Sequence, residues 1–90
     1  MASYKLLFKK SVSKDLRPIP NDDVIRILQR VDALQENPRP IGSEKLSGQD
    51  RYRIRQGVRT VYRIIYKVTD ELFVVAVVKV AHRGHVYKGG

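Results

Sequence analysis

Near its C-terminal end the chain carries seven consecutive apolar residues, Leu72-Phe73-Val74-Val75-Ala76-Val77-Val78, and resumes after Lys79 with Val80-Ala81. A membrane-spanning helix needs roughly 20 such residues, so this run cannot supply one. It is rich in valine, whose β-branched side chain suits a pleated sheet better than a helix. Leu72 to Ala81 therefore reads as a strand at the centre of a sheet, covered on both faces. A chain of 90 residues has material for one core. Residues 1–90 are expected to form one domain built around this strand.

Its neighbours are written in the rest of the sequence. Tyr4 to Lys9 alternates, with Tyr4, Leu6 and Phe8 to one side and Lys5, Leu7 and Lys9 to the other, which marks a half-buried strand. Ser11 is placed to cap a short helix carrying Val12 and Leu16, stopped by Pro18 and Pro20. Asn21 is placed to cap a longer one, with Asp22 and Asp23 in the first turn, where the helix dipole favours anions. Val24, Ile27, Leu28, Val31 and Leu34 form its apolar stripe, and Asn37-Pro38 ends it. Pro38 to Asp50 reads as a loop. Beyond it the period changes from 3.6 to 2. Tyr52 and Ile54 face one side of a strand, and Arg51, Arg53 and Arg55 the other. After a turn or bulge at Gly57, Val61 to Val68 forms a third strand. Tyr62, Ile64, Tyr66 and Val68 share one of its faces, and Val61, Arg63, Ile65 and Lys67 the other. Thr69-Asp70-Glu71 turns the chain into the valine strand. The order β-α-α-β-β-β predicts an α+β sandwich: a mostly antiparallel four-stranded sheet with an N-terminal helical hairpin on one face.

Charge points to the partner. Eighteen Lys and Arg face nine Asp and Glu, a net charge of +9. Residues 1–50 hold nine bases and seven acids; residues 51–90 hold nine bases against Asp70 and Glu71 alone, a net of +7. Focused positive potential raises the local concentration and on-rate of a polyanion. Arg53, Arg55 and Arg63 project from two strands expected to pair, with no acid interleaved in either. Repelling guanidiniums of this kind become useful when a phosphate lies between them.

The same residue census excludes several chemistries. The absence of cysteine removes disulfides, thiolate metal sites and a cysteine nucleophile, and fits a reducing cytoplasm. Paired carboxylates for hydrolysis, or for holding magnesium, are missing from the basic half, where Asp70 and Glu71 sit in a turn. His82 and His85 lack a third ligand, so no metal is expected. Neither a phosphate-binding glycine loop nor a Gly-x-Ser-x-Gly elbow occurs, and no cofactor is expected. What remains is metal-independent chemistry on RNA, which carries its own nucleophile in the 2′-hydroxyl. Arginine stays charged and forks onto phosphate oxygens, so it can stabilise the charge that develops on phosphorus. It is a poor base. Tyr87, His82, His85 and Lys45 are the candidates for proton transfer.

The ordered set Lys45-Leu46-Ser47-Gly48, Tyr52-Arg53-Ile54-Arg55, Tyr62-Arg63-Ile64-Ile65-Tyr66, Val80-Ala81-His82-Arg83 and Val86-Tyr87 resembles the RelE branch of the RelE/ParE toxin superfamily over essentially the whole chain. The resemblance implies the toxin of a type II toxin–antitoxin system. Such toxins are ribosome-dependent mRNA endonucleases that cut the codon in the aminoacyl site. Carried over by motif, Arg63 and Arg83 address the scissile phosphate. Arg53 and Arg55 hold the backbone, and Tyr87 stacks on a base or moves a proton. Lys45, Arg51, Arg59, His82 and Lys88 are further RNA-binding candidates. The implied partners are a RelB-like antitoxin offering an acidic or helical segment, the ribosome with its rRNA, and mRNA, with no membrane. The free toxin is expected to be a monomer in a prokaryotic cytoplasm, and a hetero-oligomer with its antitoxin.

Two departures from the family pattern bear on this. Val58-Arg59-Thr60-Val61 lengthens the usual Gly-x-Tyr-Arg spacing, so Arg59 competes with Arg63 for the motif position; the intact Tyr62-to-Tyr66 run favours Arg63. The tail reads His82-Arg83-Gly84-His85-Val86-Tyr87, in which Gly84 replaces a common base. Two other readings stay open: a ParE-like toxin that poisons DNA gyrase without cutting RNA, and an RNA-binding module with no chemistry.

Overall fold

The structure, a computed structural model, describes residues 3–46, 50–57 and 61–82. Strand β1 (Lys5–Phe8) leads into helix α1 (Ser11–Leu16), and helix α2 (Asn21–Asp32) follows Pro18 and Pro20. Residues Ala33–Gln35 tighten into a 3-10 turn that carries the helical stripe past the end of α2 to Leu34. Strands β2 (Glu44–Lys45), β3 (Arg51–Gln56), β4 (Tyr62–Thr69) and β5 (Val74–His82) follow. They form one sheet in the order β1-β5-β4-β3-β2. β1 runs parallel to β5, and the remaining neighbours are antiparallel. The α+β class, the mostly antiparallel sheet and the interior place of the valine strand all match expectation.

Both helices pack on one face of the sheet. Val12, Ile19, Ile27, Val31 and Leu34 from the helical layer meet Ile54, Tyr62, Ile64, Tyr66, Val68, Val75, Val77 and Val80 from the strands, all buried. The alternation in β4 is therefore realised as read, with Tyr62, Ile64, Tyr66 and Val68 inward. Tyr66 donates its phenol proton to the Pro38 carbonyl at 2.7 Å, which anchors the end of the helical layer to the sheet. Burial pushes its pKa up to about 12. Asp15 of α1 accepts a hydrogen bond from the Val80 N–H at 3.0 Å, beyond the last residue of β5 that β1 pairs. A side chain thus satisfies a donor that the short edge strand leaves behind.

Four expectations need correction. Among the described residues the sheet has five strands, because β2 lies within the segment read as a loop. Two residues are too few for alternation to show in sequence. They become a strand by pairing, Glu44 opposite Arg53 and Lys45 opposite Tyr52, continued by the Leu46 N–H to the Arg51 carbonyl at 2.8 Å. The valine strand is covered by helices on one face only, and Val74, Ala76, Val78 and Ala81 are half-buried on the rest of its surface. It also begins later than read. Residues Asp70–Leu72 form a 3-10 turn, and Phe73 takes a left-handed conformation (φ 53°) to reverse the chain. Finally, Ser11 and Asn21 are the first helical residues rather than caps. Neither helix has a side-chain cap bond, and the Pro20 carbonyl serves α2 by accepting from the Asp23 and Val24 N–H groups, each at 3.0 Å. Among the described residues, no helix is long and apolar enough to cross a membrane.

A polar clip closes the end of the sheet nearest the β4–β5 turn. Arg39 forks onto Asp70 (Nη2–Oδ2 2.7 Å, Nη1–Oδ1 3.2 Å) and donates from Nε to the Tyr52 hydroxyl at 2.9 Å. Tyr4 donates to Asp70 Oδ1 at 2.7 Å. The hydrogen bonds from Arg39 and then Tyr4 hold the Asp70 pKa below its ordinary value. The arginines of interest lie toward the other end.

Candidate nucleic-acid interface

The face of the sheet away from the helices is where the arginines gather. Register on β3 and β4 sets Arg55 directly opposite Arg63, Arg53 opposite Ile65 and Arg51 opposite Lys67. Residues between them, Ile54, Tyr62, Ile64 and Tyr66, point into the core, so the basic residues share the opposite face. Successive same-side residues on a strand are about 6.6 Å apart, and directly opposed side chains about 5 Å apart at Cβ. Arg53, Arg55 and Arg63 therefore fall within a patch the size of one or two phosphodiester units. Like charges directly opposite one another destabilise a sheet. A free fold has no use for the Arg55–Arg63 pair, whereas a bound anion does.

Arg63 is half-buried on this face. Its cross-strand neighbour on β5 is Ala81, and its Nε is buried without a hydrogen-bond partner among the described residues. An orphaned donor of this kind costs on the order of 1–3 kcal/mol. Arg53 is different. It donates from Nε to Glu44 Oε1 at 3.1 Å and from Nη2 to the same oxygen. That hydrogen bond, then the Arg53 charge and to a lesser degree Arg55, holds the Glu44 carboxyl below its usual pKa. The expectation that no acid interleaves the arginines is thus corrected: the acid comes from β2, a strand with no sequence signature.

Two other candidates fall elsewhere. Lys45, opposite Tyr52, belongs to the core-side register of β3 and lines a hollow of about 350 Å³ beside Arg39, Asp50, Tyr52 and Asp70. His82 pairs with Tyr62, also on the core-side register, with ring centroids 5.0 Å apart. It lines a hollow of about 500 Å³ with Lys14, Asp15 and Lys79. Arg59, Arg83, His85, Tyr87 and Lys88 lie outside the described residues, as do Ser47 and Gly48 of the first motif and Gly84 of the tail. β5 ends at His82, at the same end of the sheet as Arg55 and Arg63. Tyr62, the tyrosine before Arg63, is an anchor that sequence reading did not identify. It donates to Asp23 Oδ2 in the first turn of α2 at 2.6 Å, and burial followed by that bond pushes its pKa up to about 12. It pins β4 to α2 from the face opposite Arg63.

A helical layer thus lies on one face of a small sheet, and arginines without helical cover lie on the other. Residues 6–87 match the family described as the ParE toxin of the type II toxin–antitoxin system parDE. The fold superposes on the free-state structure of an E. coli RelE toxin mutant with a TM-score of 0.75 and 29% identity, covering 96% of this chain and 92% of that one. Against the archaeal RelE–RelB complex from Pyrococcus horikoshii the TM-score is 0.74 at 31% identity, covering 91% and 97%. The intact E. coli RelBE complex gives 0.76 at 26%, covering 88% and 95%. No curated protein sequence matches the chain. The chain belongs to the RelE/ParE superfamily of type II toxin–antitoxin toxins, in its RelE branch.

Proposed function

We propose that this toxin is a ribosome-dependent, metal-independent endoribonuclease that cuts mRNA codons in the aminoacyl site. The observation that carries the reading is the clustering of Arg53, Arg55 and Arg63 on the helix-free face, with Arg55 and Arg63 directly opposed. In the proposed reaction the ribose 2′-oxygen bonds to the adjacent phosphorus and the 5′-oxygen leaves. The products are a 2′,3′-cyclic phosphate and a 5′-hydroxyl. The 2′-hydroxyl loses a proton and the leaving oxygen gains one. Arg63, with Arg83, stabilises the extra negative charge on the pentavalent phosphorane. Arg53 and Arg55 grip the neighbouring backbone and hold the attacking oxygen in line. Tyr87 is assigned to base stacking or proton transfer.

The E. coli and P. horikoshii complexes pair RelE with RelB. By that likeness, and by charge, this toxin takes an antitoxin with an acidic or helical segment, is monomeric without it, and works in a prokaryotic cytoplasm. The family model bears the name of ParE, and this favours a second reading, inhibition of DNA gyrase. Primer extension on an mRNA in a translating extract separates the two. The nuclease reading expects cuts that persist in EDTA and disappear with Arg63→Ala and Tyr87→Ala. Intact mRNA together with loss of gyrase supercoiling would replace it with the second.

A further inference from the structure

Glu44 is the carboxylate that pairs with an arginine of this face, Arg53, and its placement is built rather than incidental. The turn before β2 uses Gly42 in a left-handed conformation (φ 98°), open to glycine at little steric cost. β2 then pairs Glu44 directly with Arg53, while Lys45 goes to the other face. The carboxylate takes both Nε and Nη2 of the guanidinium, the edge through which an arginine also grips a phosphate. Arg53 is the more covered partner, with its side chain 26% exposed against 57% for Glu44. The acid therefore lies on the outside, where an incoming anion meets it first. Arg55, two residues along the same face, adds to the field on Glu44.

We propose that Glu44 is a displaceable stand-in for substrate phosphate: it occupies Arg53 in the free toxin and yields that guanidinium to an RNA phosphodiester on binding. This rests on the RNA-directed reading of the arginine face. The exchange imposes a constant handicap on every phosphate ligand, because only the fraction of molecules with Arg53 released is competent. Weakly held free RNA, which does not saturate the site, loses occupancy by that factor. RNA fixed by many other contacts, as on a ribosome, saturates the site regardless. Glu44 thus sets the affinity threshold of the site, acting through Arg53.

The test is the affinity of the full chain for a short single-stranded oligoribonucleotide, measured by fluorescence anisotropy over a range of salt. It is run on the parent, Glu44→Gln, Arg53→Gln and the double variant. The Glu44→Gln change keeps shape and removes charge, and circular dichroism confirms that each variant is folded. An exposed ion pair sets the scale, so Glu44→Gln is expected to bind about two- to fivefold more tightly. Its log K against log salt should also be steeper, by up to about one ion. In the Arg53→Gln background the gain should vanish. Unchanged or weaker binding by Glu44→Gln overturns the proposal. So does an equal gain with and without Arg53, which would reduce Glu44 to a generic negative charge. Because the readout is binding without ribosomes or cleavage, intact mRNA in an extract would defeat the nuclease reading and leave this exchange standing.

Discussion

Replacing Arg63 with methionine should make the protein more stable while removing its proposed activity. Methionine keeps an unbranched apolar stem of similar reach and removes the guanidinium. Two unfavourable contributions go with it. Directly opposed like charges cost roughly 0.2–1 kcal/mol, and Arg63 faces Arg55 across the β3–β4 pair. A buried, unpartnered donor costs on the order of 1–3 kcal/mol, and Arg63 Nε is one among the described residues. The second contribution is reduced because Arg63 as a whole is only half-buried, so the guanidinium keeps some solvent. Some stem packing is lost in exchange. The net expectation is a gain of about 0.5–1 kcal/mol, or a rise in Tm of roughly 2–8 °C for a domain of this size. Thermal unfolding followed by circular dichroism measures it. Repeating the melts at high salt should shrink the gain, because salt screens the Arg55–Arg63 repulsion. Under the proposed function the same variant should leave mRNA intact in a translating extract. A variant less stable than the parent would refute the reasoning, since Arg63 would then be a structural group rather than one held ready for an anion.

Three further outcomes follow from the fold. Asp15→Ala strands the Val80 N–H at the edge of β5 and should cost about 1–3 kcal/mol, read from urea denaturation. Tyr62 has a folded-state pKa of about 12, above its ordinary 10.0, so its contribution is complete below pH 10 and is lost as pH rises through 12. Alkaline unfolding should therefore be less steep in Tyr62→Phe, and equal steepness would remove Tyr62 as the group responsible. Asp70 is shifted the other way. Its contribution is present above the ordinary 3.8 and is lost as pH falls through its lowered folded value, so parent and Asp70→Asn should differ in Tm at neutral pH and converge in acid.

Much of this molecule is legible in its sequence because alternation is a local property. A strand with one face in a core must repeat every second residue, so Tyr52-Arg53-Ile54-Arg55 and Tyr62 to Val68 declare which side chains share a face before any partner is known. The helical stripe from Val24 to Leu34 declares itself by the same kind of argument at a period of 3.6. Three of its members show where the pattern stops informing: Ile27 and Val31 are buried, while Leu28 remains 39% exposed at the rim. The pattern names a stripe, and the packing of the helix on the sheet decides how much of it is covered.

Pairing is not local, and what depends on pairing came from the fold alone. The opposition of Arg55 and Arg63 is a matter of register, which a slip of one residue would change. A run of valines hides the irregularity between Ile65 and Tyr66, where Val77 and Lys79 are successive partners and Val78 is the extra residue; with valine on both sides, no alternation exists to be broken. Two-residue β2 exists only because β3 offers it an edge, so the Glu44–Arg53 contact had no sequence signal at all. Residue order thus determined which groups the chain presents on each surface. Tertiary structure decided which of those groups meet, because hydrogen-bonded register couples residues whose separation along the chain carries no periodic trace.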